Sequence, residues 1–129
     1  MKPVVAVIAQ GAMGAAVGKR LSDNGLEVRT SLAGRSAGSA ERARASGMTA
    51  VGVEQIANAD IFLSIVPPGD AIAFAEQFAP ILRANNHKPI FVDCNAVSPP
   101  SAQRIASVID TAGCPFVDCG IVGAPPRAD

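Results

Sequence analysis

Tryptophan and tyrosine are absent from this sequence, and five phenylalanines are its only aromatic residues. An excess of charge is missing too: eleven basic side chains balance eleven acidic ones, with no basic stripe along the chain. Binding a phosphate backbone needs clustered lysine and arginine, so nucleic acid is not an expected partner. No apolar run approaches the roughly 18 residues of a membrane span, and Met1-Lys2-Pro3 leads directly into an apolar run rather than a secretory leader. Three cysteines, Cys94, Cys114 and Cys119, are odd in number and lack the paired spacing of a zinc site. They read as buried or partly buried free thiols in a reducing, cytoplasmic setting, and no metal is expected. Histidine occurs once, as His87 in the polar stretch Asn85-Asn86-His87-Lys88, where a surface role is expected.

What remains is a chain of 129 residues, 49% hydrophobic, long enough for one core. Alanine, valine and isoleucine dominate, as in a parallel sheet covered on both faces. Strand and helix patterns alternate with short links. Strands are expected at 4–9, 27–31, 49–51, 61–66, 90–93 and 115–119. Helices are expected at 13–24, stopped by Gly25, and at 40–46, capped by Ser39 and ended by Gly47. One helical turn is expected near 54–57. A longer amphipathic helix should run from its Asp70 cap to about Ala84, with Ile72, Phe74, Ala75, Phe78 and Leu82 mainly on one side. Pro99 and Pro100 start a last helix through Ile109. Such alternation implies right-handed crossovers and a parallel sheet. The expected architecture is an α/β doubly wound Rossmann-type fold of strand order 3-2-1-4-5-6, with a ligand at the carboxyl edge of the sheet.

The first strand meets a glycine turn and then a helix, Val4-Val5-Ala6-Val7-Ile8-Ala9-Gln10-Gly11-Ala12-Met13-Gly14. Gly11 lets the backbone approach a pyrophosphate, and Gly14 lets the new helix pack on its strand. The free N–H groups of the first helical turn face the phosphates. Ala9 replaces the first glycine of the pattern. The other carboxyl ends with informative residues are Ser31–Ser36, Pro67–Asp70 and Asp93–Ser98.

The second strand bears on the choice of cofactor. An NAD site places an acid about 20 residues into the motif, on the ribose hydroxyls. Twenty residues after Gly11 stands Ser31, and the next acidic residue after Glu27 is Glu41. Arg35, between Gly34 and Ser36, is suited to grip a 2′-phosphate together with the Ser36 hydroxyl. NADP (NADPH) is therefore expected over NAD, with Gln10, Gly11, Ala12, Met13, Gly14, Ser31, Arg35 and Ser36 at the cofactor.

These residues resemble the N-terminal domain of the 6-phosphogluconate dehydrogenase / β-hydroxyacid dehydrogenase superfamily, over nearly the whole chain. That family opens with Gly-x-Gly-x-Met-Gly, matched by Ala9 to Gly14. Its second strand leads to Arg followed by Ser or Thr in NADP-dependent members, matched by Arg35-Ser36. Its fourth strand ends in a Leu/Val-Pro pair over the cofactor, matched by Val66-Pro67. Its fifth ends in Asp-x-Ser-Thr-x-x-Pro, matched by Asp93 to Pro99. The resemblance implies an NADP-dependent oxidoreductase acting on a small molecule, with this domain orienting the nicotinamide for hydride transfer.

Two departures shape what carries over. Asn95-Ala96 stands in place of Ser-Thr, leaving the Asn95 amide as the polar contact near nicotinamide and substrate. After the sixth strand, Val122 takes the place of the family's substrate-binding serine, beside Gly123, and a valine cannot donate to a carboxylate. The resemblance also implies a downstream all-helical domain with the general acid/base lysine and homodimer contacts. No catalytic residue is expected within these 129 residues, and alone they should be inactive. Lys19 and Lys88 read as solvated charges, and Asp93 and Asp118 as organisers of loops. A non-catalytic NADP-binding or sensing module, and an S-adenosylmethionine binder, remain as alternatives.

Overall fold

A computed structural model describes residues 3–9, 12–31, 41 and 43–119. β1 (Val4–Ala9) leads into α1 (Ala12–Asp23), followed by β2 (Glu27–Thr30) and β3 (Thr49–Ala50). Next come the short α2 (Val53–Ala57), β4 (Ile61–Ile65), a 3₁₀ turn (Pro68–Asp70) and α3 (Ala71–Ala84). β5 (Ile90–Asp93), α4 (Pro99–Thr111) and β6 (Phe116–Asp118) complete the described chain. The six strands form one sheet in the order β3-β2-β1-β4-β5-β6, every neighbouring pair parallel. This is a Rossmann-like α/β fold of the expected order. Between β2 and β3, Glu41 and residues 43–45 are helical. The expected cap Ser39 and first residue Ala40 of that segment lie outside the described residues.

The helix ends follow from local chemistry. After α1, Gly25 takes φ +87°, the Gly25 N–H donates to the Ser22 carbonyl at 3.0 Å, and the Leu26 N–H donates to the Leu21 carbonyl at 3.2 Å. That is a Schellman closure, which needs a left-handed residue that glycine adopts without strain. α4 starts where Ser98 accepts from the Ser101 N–H at 3.3 Å, with Pro99 supplying a preset φ. The Asp70 expectation is corrected. Asp70 precedes α3, but its φ of −101° and ψ of −5° are already helical and its side chain makes no cap bond. Its N–H closes the 3₁₀ turn onto the Pro67 carbonyl at 2.8 Å, so it lacks the extended geometry a cap needs.

Strand alternation divides the interior in two. Val5 and Val7 of β1, Val28, Ile65 and Cys94 pack with Met13, Val17 and Leu21 of α1. Ala6, Ile8, Phe62, Val66 and Phe91 point the other way, onto α2, α3 and α4. On α3 the buried positions are Ala71, Ala75, Phe78, Ala79 and Leu82, a helical stripe, with Ile72 and Phe74 half-buried beside it. α1 and the β3 approach lie so close that a Cβ on buried Gly18 would collide with Met48. Cys94 and Cys114 are buried free thiols, whereas Cys119 is exposed rather than covered. Among the described residues, no helix is long and apolar enough to cross a membrane. Nor do any three His, Cys, Asp or Glu side chains among them gather as a metal site would require.

Candidate functional site

In an open parallel sheet the crossovers from neighbouring strands diverge where the order reverses, leaving a crevice at the carboxyl ends. Here that point lies between β1 and β4, which run in register from Val5↔Ile61 to Ala9↔Ile65. The start of α1 and the segment Val66–Pro67 therefore face each other across it. Ala12, Met13 and Gly14 form the first turn of α1, which carries no acidic residue to oppose an anion. Gly14 is buried, and Met13 packs half-buried against the Val5 and Val7 cluster. Gln10 and Gly11, the tip of the turn, lie outside the described residues. Ser31 follows β2 directly and is half-buried. Arg35, Ser36, Val122 and Gly123 also lie outside the described residues.

The carboxyl end of β4 and β5 is a buried polar knot. Asn95, 5% exposed, accepts the Val66 N–H on Oδ1 at 2.9 Å. Its Nδ2 donates to the buried Ser64 Oγ at 3.3 Å. The Asn95 N–H donates to Asp93 Oδ1 at 2.9 Å. Asn95 is thus engaged within the protein through both Oδ1 and Nδ2. Asp93 is 1% exposed, and its Oδ2 has no hydrogen-bond partner. Burial, reinforced by the negative charge of Asp118 on the neighbouring strand, pushes the Asp93 pKa up against the lowering effect of the Asn95 N–H. The Cys94 thiol next to it is pushed up to about 12, chiefly by burial. A thiol so hard to ionise is a packing group rather than a nucleophile.

Val66 is buried and Pro67 exposed at this edge. Ser64 was missed by sequence reasoning, although it is the one polar residue in the Ile61–Ile65 run and so carried a legible signal. The described lysines and the histidine sit elsewhere. Lys19 pairs with Asp23 at 3.4 Å on exposed α1. Lys88 is not merely solvated: its Nζ donates to the Leu82 and Arg83 carbonyls at 2.7 and 3.0 Å, closing the end of α3. His87 Nε2 lies 3.2 Å from Asp60 ahead of β4, at the amino edge of the sheet.

Residues 4–129 match the family model described as the NAD binding domain of 6-phosphogluconate dehydrogenase. Among solved structures, the conserved protein MTH1747, of unknown function and structurally similar to 3-hydroxyacid dehydrogenases, is 33% identical over 93% of this chain and 44% of its own, with a TM-score of 0.81. The 3-hydroxyisobutyrate dehydrogenase of Mycobacterium tuberculosis shares the fold at 23% identity and TM-score 0.76, over 95% of this chain and 42% of its own. A variant imine reductase from Myxococcus stipitatus, in complex with NAD+, does so at 21% identity and TM-score 0.74, over 92% of this chain and 40% of its own. This chain therefore spans less than half the length of each. No functionally curated protein matches the sequence. A parallel sheet with its crevice at the β1–β4 reversal, a helix opening there without acid, and a family match from Val4 onward lead to one assignment: the chain belongs to the NAD-binding domain family of 6-phosphogluconate dehydrogenase.

Proposed function

We propose that this domain binds NADP(H) and orients its nicotinamide for hydride transfer in an oxidoreductase acting on a small molecule. The observation that carries the reading is the reversal of strand order between β1 and β4, which sets the N-terminal turn of α1 and the end of β4 at the same carboxyl edge of the sheet. Helix N–H groups there suit a pyrophosphate, and the cofactor itself supplies the redox chemistry. The preference for NADP rests on Ser31, which follows β2 where an NAD site carries its ribose-binding acid, and on Arg35 with Ser36 four and five residues on. The general acid/base lysine and homodimer contacts belong, in this proposal, to a downstream helical domain. Relatives more than twice this length support that view. The cytoplasm is the proposed compartment.

Fluorescence titration tests the cofactor. NADPH should bind at least about tenfold tighter than NADH, which one charge-assisted contact can supply. Arg35→Ala should weaken NADPH selectively, and equal affinities for the two cofactors would overturn the choice. A second reading, a nucleotide-binding module without catalysis, is favoured by one observation: no described lysine or histidine stands at the carboxyl edge. NADPH consumption by the intact protein with keto or imine compounds separates the two.

A further inference from the structure

The end of β4 is held beyond the point where its sheet pairing stops. The Cys94 N–H donates to the Ser64 carbonyl at 3.0 Å, the bond that closes the last β4–β5 pair, Ser64↔Asp93. Two residues after Ser64, the Val66 N–H meets no backbone acceptor among the described residues, because the chain turns after Cys94. It meets the Asn95 side chain instead, at 2.9 Å. Asn95 Nδ2 returns to Ser64 Oγ at 3.3 Å, so one side chain grips β4 twice, at Ser64 and at Val66. The grip is itself fixed by the bond from the Asn95 N–H to Asp93 Oδ1. All four residues are buried.

The grip shapes the segment beyond β4. The Val66 N–H is occupied, and Pro67 and Pro68 have none. The Pro67 carbonyl is taken by the Asp70 N–H at 2.8 Å. From Val66 to Pro68 the chain is a ledge without a free backbone donor, standing at the reversal of strand order. A dinucleotide laid across that reversal puts its phosphates at the α1 turn and its second nucleotide over β4 and β5. A planar ring stacks well on such an apolar ledge only when the ledge is held at one height.

We infer that Asn95 is a positioning residue for the nicotinamide half of the cofactor, acting through Val66 and Pro67 rather than by touching the ring. The inference rests on the proposed dinucleotide binding and adds to it how the ring's platform is set. Holding the platform in advance removes an ordering cost from binding, and losing it should cost about tenfold in affinity.

The test is calorimetric titration of the protein with NADPH and NADH, each beside its nicotinamide-free counterpart, 2′-phospho-ADP-ribose or ADP-ribose. In Asn95→Leu, the favoured nicotinamide cofactor should bind about tenfold more weakly, while its counterpart stays within about twofold. Ser64→Ala, which removes only the partner of Nδ2, should show the same split at smaller size, and it carries the test if Asn95→Leu does not fold. Equal weakening of cofactor and counterpart would mark a general loss of structure and overturn the inference. Cofactor binding lost in Asn95→Leu but untouched in Ser64→Ala would make Asn95 a direct contact, also overturning it. Wild-type protein that binds none of the four molecules would overturn the proposed dinucleotide binding and this inference with it.

Discussion

The two faces of the sheet are built differently. Every phenylalanine of the chain lies on the α2–α3–α4 face. Phe62 stacks on Phe91 with ring centroids 4.9 Å apart and meets Phe78 edge-on at 5.2 Å, with Phe74 and Phe116 extending the cluster. The opposite face has no aromatic residue; valine, isoleucine, leucine and methionine pack between α1, β1, β2 and β4. Toward β5 and β6 that aliphatic face opens, leaving Ile90 39% and Val117 46% exposed. One face is therefore closed by large interlocking rings, and the other ends in branched side chains facing solvent. Burial rather than residue type decides what each position contributes: Ile90 is as apolar as Ile105, but Ile105 is 1% exposed.

The largest effect should come from the closed face. Phe62→Ala removes the ring at the centre of the cluster and should cost about 3–5 kcal/mol in chemical denaturation. A loss below about 1 kcal/mol would mean that the cluster is not the main support of that face.

Asp93 tests the polar end of the same face. Its folded pKa is raised, so the fold favours the protonated carboxyl; the stability it contributes is full below the unfolded value of 3.8 and is lost as pH rises through the folded pKa. Asp93→Asn keeps an oxygen for the Asn95 N–H without the charge. Relative to wild type, the variant should gain stability between pH 4 and pH 8, by roughly the 1–3 kcal/mol that an unmatched buried polar group costs. Parallel pH profiles for the two proteins would show that Asp93 carries no such penalty.

The smallest effects belong to the open face. Ile90→Thr and Val117→Thr should each change stability by no more than about 0.5 kcal/mol. A larger loss, or one that depends on protein concentration, would show that the open face is covered in solution and that the contrast between the faces is narrower than their exposure suggests.

Most of the fold was legible because its signals are local. Gly25 and Gly47 stop helices within one turn, and both take positive φ. The apolar runs of β1 and β4 announce strands buried on both faces. Short strand–helix links then leave few topologies, which is why the order of six strands could be expected in advance. The passage from β1 directly into α1 was legible for the same reason, since a turn between a strand and a helix is a matter of adjacent residues. Ends were less legible. Asp70 looks like a helix cap by residue type, but the preceding 3₁₀ turn sets its backbone before the helix begins.

The sequence by itself determined the parallel sheet, its strand order and the edge where a ligand is expected, because periodicity, caps and turn residues act over a few positions. Only the tertiary structure decided what the side chains at that edge do. Asn95 turns inward because register brings it to Val66 from 29 residues away and to Ser64 from 31. Lys88 closes α3 because the link to β5 folds back on that helix, and the five phenylalanines share a face because strand alternation and helix packing place them there. Such contacts depend on the distance between segments far apart in the chain, which no local pattern encodes.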